Sequence, residues 1–398
     1  MADTLVKAGV YSLDDEIGVF GPYWSDESTA VIVFVDTGID TTFARTDDKG
    51  ASWAITEIKA GSTRSLACWY DKETPGNAGT LVHIAWLEDT VDDVYYRTLD
   101  VADGTLGTQR TVDGSITSGF APNLNRITIT QTVSGNIIVA FSTQTEIECY
   151  KSADNFATPG TDIADVYEVA TAEDYCLLFP AATADDDDAC ALFWDRSADE
   201  ISLKVYDDSG DTWTEKSISG SMVDEVRNMD MDGSVRHSDS HILMAAHSRS
   251  DHTTDDLRTW DLTVDDPDAA NCTVTAKTNI FTDQVESARA SVWINQQTDQ
   301  VRIAYLKGGV WTETVDVVYH ISNDGMGSWG GEQAYSEGGP DDFRTCHAGR
   351  TVGDAGGRYQ PSFYDDDEVD IYVNEVNDTE IAAAEEPVGF AHSYAVII

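Results

Sequence analysis

Cations are what this chain has least of: 24 Lys and Arg stand against 72 Asp and Glu in 398 residues, a formal net charge of −48. That imbalance excludes the clustered basic surface that nucleic acid or an anionic membrane requires. Proline is scarce, at 9 residues, and no Pro- or Gly-rich linker divides the chain. One domain over residues 1–398 is therefore expected, although length alone would allow two or three. No apolar run is long enough to cross a bilayer as a helix, and Met1-Ala2-Asp3-Thr4-Leu5-Val6-Lys7 lacks the basic and apolar regions of a secretory signal. The six cysteines, Cys68, Cys149, Cys176, Cys190, Cys272 and Cys346, are dispersed without a Cys-x-x-Cys pair. Zinc and redox motifs are thereby excluded and buried free thiols expected, with Cys176 and Cys190 the one pair to test for a disulfide. Also missing is any run of more than ten residues with a clean 3.6 period between caps, so the chain reads as all-β.

What is present is a repeat. Short apolar segments end at Phe34, Trp86, Phe141, Phe193, Ala246, Tyr305 and Phe363, separated by 52, 55, 52, 53, 59 and 58 residues. Units of this length built from strands cannot bury their faces alone and stack into arrays or propellers. Each unit reads as a four-stranded antiparallel sheet. Second strands are expected at 30–36, 81–88, 136–143, 189–195, 241–248, 301–307 and 359–365, and third strands at 41–46, 92–99, 146–152, 200–206, 256–264, 315–322 and 368–375. Inner strands precede them at 64–70, 126–132, 174–181, 227–235, 289–295 and 344–351; that of the first unit is weakly marked and placed at Glu16 to Phe20. The expected fold is a single β-propeller of seven four-stranded blades, with six as the alternative count. Two segments compete to complete the last blade or to dock on a partner, one within residues 1–15 and the other the apolar tail 388–398.

Four turns after third strands carry a motif. Thr46, Asp48, Gly50, Ser52 and Trp53 fit Ser/Thr-x-Asp-x-Gly-x-Thr/Ser-Trp completely. Tyr206 to Trp213, with Asp208, Gly210 and Trp213, keeps all but the first position. Ser322, Asp324, Ser328 and Trp329 keep the frame with Met326 in place of Gly, and Ser152 to Thr158 retains only the polar positions. These turns begin two, one and two repeat lengths apart. They resemble the Asp-box, or BNR repeat, of sialidase-like propellers. The carboxylate can accept turn amide bonds, Gly permits positive φ, and Trp covers the hairpin. The resemblance implies that these boxes are fold staples on the face away from a ligand site.

Five of the 15 arginines fall at or near inner-strand starts, namely Arg64, Arg126, Arg227, Arg289 and Arg344. Guanidinium groups converging there would bind a carboxylate or sulfate bidentately; pairing with acidic loops would instead neutralise the funnel. The resemblance implies an arginine triad on that face. For glycoside cleavage, which needs a general acid and an opposed carboxylate or activated Tyr, the upper loops offer Glu88, Asp195 and Asp251, with His252. The enzyme family's early Phe/Tyr-Arg-Ile/Leu-Pro segment has no counterpart; the nearest stretch, Val19-Phe20-Gly21-Pro22-Tyr23, has no Arg.

The acids concentrate in turns such as Asp185 to Asp188 and Asp365 to Glu368, and the composition resembles that of proteins from extreme halophiles, whose self-repulsion molar salt screens. No cofactor is expected; Ca²⁺ at acidic turns is the alternative, although no loop matches the spaced Asp-x-Asp-x-Asp-Gly pattern. The expected function is binding or adhesion without catalysis, on the surface of a virus particle of a halophilic host (capsid, turret or tail fibre), recognising host surface glycans. Its expected partners are other virion proteins or further copies of itself. The alternative is a sialidase-like glycoside hydrolase acting on an anionic sugar.

Overall fold

The computed structural model describes residues 4–10, 18–88, 91, 93–114, 116, 127–143, 145–168, 174–195, 197–222, 231–251, 254–284, 287–307, 316–335, 343–347, 351–352, 362–365 and 370–373. The described strands form seven sheets, numbered here as blades in chain order. Six are built on four strands consecutive in the chain. Blade 1 comprises Phe20–Trp24, Ala30–Val35, Thr41–Thr46 and Ala54–Lys59, and blade 2 Thr63–Tyr70, Leu81–Glu88, Asp93–Asp100 and Arg110–Asp113. Blade 3 has Ile127–Gln131, Ile137–Ser142, Ile147–Ser152 and Thr161–Tyr167, and blade 4 Tyr175–Pro180, Ala189–Asp195, Glu200–Asp207 and Thr212–Ser219. Blade 5 holds Met231–Val235, Ile242–Asp251, Thr254–Thr263 and Thr273–Ala276, with Phe281–Gln284 also pairing its third strand. Blade 6 runs through Ser287–Asn295, Gln300–Lys307, Asp316–Ser322 and Gln333–Ala334.

The remaining sheet joins the two ends of the chain. Its inner three strands are Phe343–His347, Ser362–Asp365 and Asp370–Val373, and its outer strand is Thr4–Lys7, antiparallel to Asp370–Val373. Val6 and Val10 are buried there, and the Gly9 amide donates to Asp370 Oδ1 at 2.9 Å. Of the two segments competing for this place, the N-terminal one supplies the strand; 388–398 lies outside the described residues. Within each blade the strands follow one another outward from the inner one, and inner strands of successive blades lie side by side. Where blade 5 meets blade 4, a Cβ on Gly233 would stand 3.1 Å from the Phe179 ring. The result is an all-β propeller of radially arranged sheets.

The second strands are buried on both faces, as in Ala30–Val35 and Ile137–Ser142, which explains their unbroken apolar runs. Outer strands such as Ala54–Lys59 face water and carry polar residues. The core is a chain of layers between neighbouring blades: Ile138, Cys149, Cys176 and Phe193 fill the one between blades 3 and 4, and Leu243, Val292, Ile303 and Tyr305 the one between blades 5 and 6.

Three expectations change in detail. Blade 1's inner strand is Phe20–Trp24, not Glu16 to Phe20; residues 11–17 lie outside the described set. Its pattern was hidden by Gly21-Pro22, over which the ladder jumps from Phe20↔Val33 to Tyr23↔Val31. Gly21 is required there, with φ of 105° and only 2.7 Å between an added Cβ and the Val31 carbonyl oxygen. The inner strand expected over 344–351 stops at His347, and Thr351–Val352 instead runs parallel to blade 6's Ile294 and Asn295. Finally, Cys176 faces Phe193 and Cys190 faces Phe179, three register positions apart. An odd offset puts the two thiols on opposite sides of the sheet, so they form no disulfide; Cys68, Cys149, Cys176, Cys190 and Cys272 are buried and free.

Candidate functional site

Antiparallel pairing sets the start of each inner strand beside the end of the second: Thr63 pairs Glu88, Ser287 pairs Lys307 and Phe343 pairs Asp365. The second-to-third hairpins and the inner-strand starts therefore share one face of the ring. Arg64, Arg289 and Arg344 are the second, third and second residues of their inner strands, so their backbones stand at that face. Arg64 is half-buried and already engaged with neighbouring groups. Arg126 and Arg227 lie outside the described residues.

The carboxylates on this face have specific partners. Glu88 ends the second strand of blade 2 and meets Lys59 of blade 1 at 3.5 Å, its side chain 12% exposed. Tyr95 lies in its field and donates to Asp93 at 2.8 Å. Burial, that hydrogen bond, and the charges of Asp93 and Glu88 push the Tyr95 phenol up to about 12. Asp195 caps its own hairpin, accepting from Ser197 Oγ at 2.8 Å and the Ala198 amide at 2.9 Å. Asp251 ends its strand opposite Thr254 in backbone register, and His252 is outside the described residues. Glu88 on blade 2 and Asp195 on blade 4 are thus held by different partners. Among the described residues, no group of three or more His, Cys, Asp or Glu side chains is disposed to hold a metal.

The motif turns after the third strands lie on the opposite face. At Thr46, the hydroxyl donates to Asp48 Oδ1 at 2.8 Å and accepts the Gly50 amide at 3.0 Å, while Asp48 accepts the Ser52 amide at 2.9 Å and hydroxyl at 2.6 Å. Ser322 and Asp324 repeat this, accepting the Met326 amide at 2.9 Å and the Ser328 amide at 2.9 Å. So do Ser152 and Asp154, with the Phe156 amide at 2.7 Å and the Thr158 amide at 3.1 Å, although that turn keeps only the polar positions in sequence. The hydrogen bonds draw all three carboxyls below their ordinary range, the largest part coming from the Ser52, Thr158 and Ser328 hydroxyls, and Asp324 to about 2. In Gly's place, Phe156 and Met326 hold φ of 56° and 67°. A left-handed side chain costs roughly 1–2 kcal/mol, offset here because both side chains are fully packed, 2% and 0% exposed.

The turn at Tyr206 is different. Asp207, not Asp208, accepts the Ser209 and Gly210 amides, at 2.9 and 3.2 Å. Asp208 pairs with Lys151 of blade 3, and its amide donates to Asp188 at 2.9 Å. Tyr206 has no short hydroxyl to anchor a box, and its phenol reaches Asp211 at 3.0 Å. Trp213 still bridges blades, its Nε1 donating to Ala164 at 2.8 Å, as Trp329 does to Thr278 at 2.6 Å. Trp53 packs, half-buried, against the core of blades 7, 1 and 2.

One buried polar group escapes any sequence signal. His83, 1% exposed, lies 2.9 Å from Asp71 Oδ1 and 2.6 Å from the Tyr96 oxygen. Tyr96 in turn donates to Asn155 in the blade 3 turn at 3.1 Å, and Asn77 joins Asp71 to Gln131. Burial works to raise the Asp71 carboxyl, but bonds from His83, Leu81 and Gln131 leave it below the usual range. These residues are scattered from position 71 to 155, and only the fold assembles them.

Neither a family model nor a curated protein matches the chain. Among solved structures, it is similar to a protein from Lactobacillus plantarum at 13% identity and a TM-score of 0.50, over 84% of this chain and 89% of that one. It is also similar to an exo-β-1,3-galactanase from Phanerochaete chrysosporium at 11% identity and a TM-score of 0.39, over 65% of this chain. The match spans 61%, less than two thirds, of the galactanase. An α-L-arabinanase from Penicillium chrysogenum matches at 12% identity and a TM-score of 0.39, over 60% of this chain and 76% of that one. At such identities the likeness is one of fold.

Proposed function

We propose that this protein is a sialidase-like propeller that binds anionic surface glycans without cleaving them, displayed on a virus particle of a halophilic host. The observation that carries the non-catalytic half is how the candidate acids are occupied: Asp195 is a hairpin cap and Glu88 a partner of Lys59. A general acid has to be within reach of the scissile oxygen and opposed by a second group. Tyr95, the phenol beside Glu88, is held protonated and committed to Asp93, the reverse of an activated nucleophile. The binding half rests on arginine placement: Arg64, Arg289 and Arg344 start inner strands at one face, where a carboxylate or sulfate would be met bidentately. The halophilic setting rests on the acidic composition, suited to molar salt.

The test is a panel of sialylated, sulfated and neutral oligosaccharides presented to the intact protein in molar KCl, read for binding and for released sugar. Binding of anionic members alone, weakened at least tenfold by Arg64→Ala and Arg344→Ala and without turnover, is the expected result. Sugar release lost in Glu88→Gln would overturn the non-catalytic reading in favour of a hydrolase. Equal binding of neutral and anionic members would remove the role of the arginines.

A further inference from the structure

Blade 3 contains an irregularity with charge on both sides of it. Its third and outer strands pair Ile147 with Tyr167 and then Cys149 with Ile163, so the single residue Glu148 stands opposite Ala164, Asp165 and Val166. Alternation along a strand sends Glu148 and Tyr150 to the face away from Ile147 and Cys149. Ile147 and Cys149 pack toward blade 4. Tyr150 packs against the core cluster that contains Phe141 and Val112 of blade 2, its ring stacked on Phe141 at 5.8 Å, and its hydroxyl reaches Asp113 of blade 2. Glu148 therefore lies, half-buried, in the seam between blades 2 and 3.

The groups around it are almost all acids. Asp113 comes from the outer strand of blade 2 and accepts the Tyr150 hydroxyl; Glu146 precedes Glu148 on its own side, and Asp162 and Asp165 face it from the outer strand. Glu168 adds its charge at Asp165. From blade 4, Asp211 accepts the Ala164 amide at 2.9 Å. Among the described residues, the nearby cations are directed elsewhere or distant along their strands: Lys151 is taken by Asp208, and Arg110 begins the strand that Asp113 ends. Like charges packed into a part-dry seam cannot all ionise without cost.

We propose that the seam between blades 2 and 3 is a proton-operated latch: with a proton on Glu148 the outer strand of blade 3 lies closed against the sheet, and with Glu148 and Asp165 both ionised it loosens. Burial, then repulsion from Asp113, Glu146, Asp165 and Asp162, pushes Glu148 up to about 7, and burial with Glu146, Asp162 and Glu168 pushes Asp165 up to about 6. A carboxyl raised on folding from 4.5 stabilises the closed form fully below that value, and its contribution is lost as pH rises through about 7. The device therefore operates near neutrality.

Hydrogen exchange of the intact protein in low salt reads the latch directly, as the ratio of amide protection in Thr161–Tyr167 to that in Thr212–Ser219 of the same sample. Taking the ratio cancels the common pH dependence of exchange. Between pH 5.5 and 8 the ratio is expected to fall about tenfold, the size of one pKa unit left after solvent screening. In Glu148→Gln it stays constant, in Asp165→Asn the fall is reduced, and in Glu57→Gln, an equal charge change on an exposed strand, the fall is as in the wild type. A flat wild-type ratio, or the same fall in Glu148→Gln, overturns the proposal.

Discussion

At the scale of single residues, a short hydroxyl decides which turn is a staple. Thr46, Ser152 and Ser322 each accept a buried amide two residues beyond their carboxylate's own position, and the turn closes around that bond. Ser152→Ala leaves the Phe156 amide without it and is expected to cost about 1–2 kcal/mol in urea unfolding. Asp208→Ala removes a pair at the surface and should cost less than about 1 kcal/mol. The reverse order would show that Tyr206 to Trp213 is a box after all. The Asp324 carboxyl, lowered to about 2 from 3.8, contributes stability above its unfolded value that is lost only as pH falls through about 2. A carboxyl-carbon NMR titration should find it ionised at pH 3, and a midpoint near 4 would refute the bond pattern.

At the scale of strands and turns, the sequence was informative wherever burial was two-sided. The second strands stood out because most of their positions are apolar, and the second strand Leu81–Glu88 and the third strand Thr41–Thr46 could be bounded to the residue. Elements that obey local exceptions were hidden: Phe20–Trp24 behind Gly21-Pro22, Phe281–Gln284 as a second partner of an already paired strand, and Thr351–Val352 in a neighbour's sheet. The Asp71, His83 and Tyr96 group was illegible for a related reason, since contacts across blades have no period. Of the candidate site, the positions of Arg64, Arg289 and Arg344 were legible as strand starts, while the role of Glu88 depended on Lys59 of another blade and that of Asp195 on the turn of its own hairpin. The joining strand allows its own test. Deleting residues 1–10 strips Val6 and Val10 from blade 7 and exposes the edge of Asp370–Val373. A lowered melting temperature and self-association are expected; an unchanged melting temperature would mean that the strand contributes nothing to closure.

At the scale of the molecule, the dominant quantity is the net charge of −48. Its repulsion acts over a Debye length of about 10 Å at 0.1 M salt and about 3 Å at 1 M. Raising KCl from 0.1 M to 2 M should increase the melting temperature by several degrees, since at about 2 cal/mol/K of unfolding entropy per residue a chain of 398 residues moves roughly 1 °C for each kcal/mol of relieved repulsion. An unchanged value would count against adaptation to high salt. It would leave the seam between blades 2 and 3 as a local device and not one symptom of a general acidity.

The pairing of Thr4–Lys7 with Asp370–Val373 also orders events during synthesis. Blades 1 to 6 can each assemble as their strands leave the ribosome, because every partner is close behind. Thr4–Lys7 has no such partner. It must wait, extended and half apolar, until residue 373 has been added, at some tens of seconds for typical elongation rates of about 5–20 residues per second. During that interval the growing protein is an open arc with two unpaired edges, and a neighbouring chain on the same message could supply the missing strand. Conditions that slow translation should therefore favour exchanged dimers over closed rings.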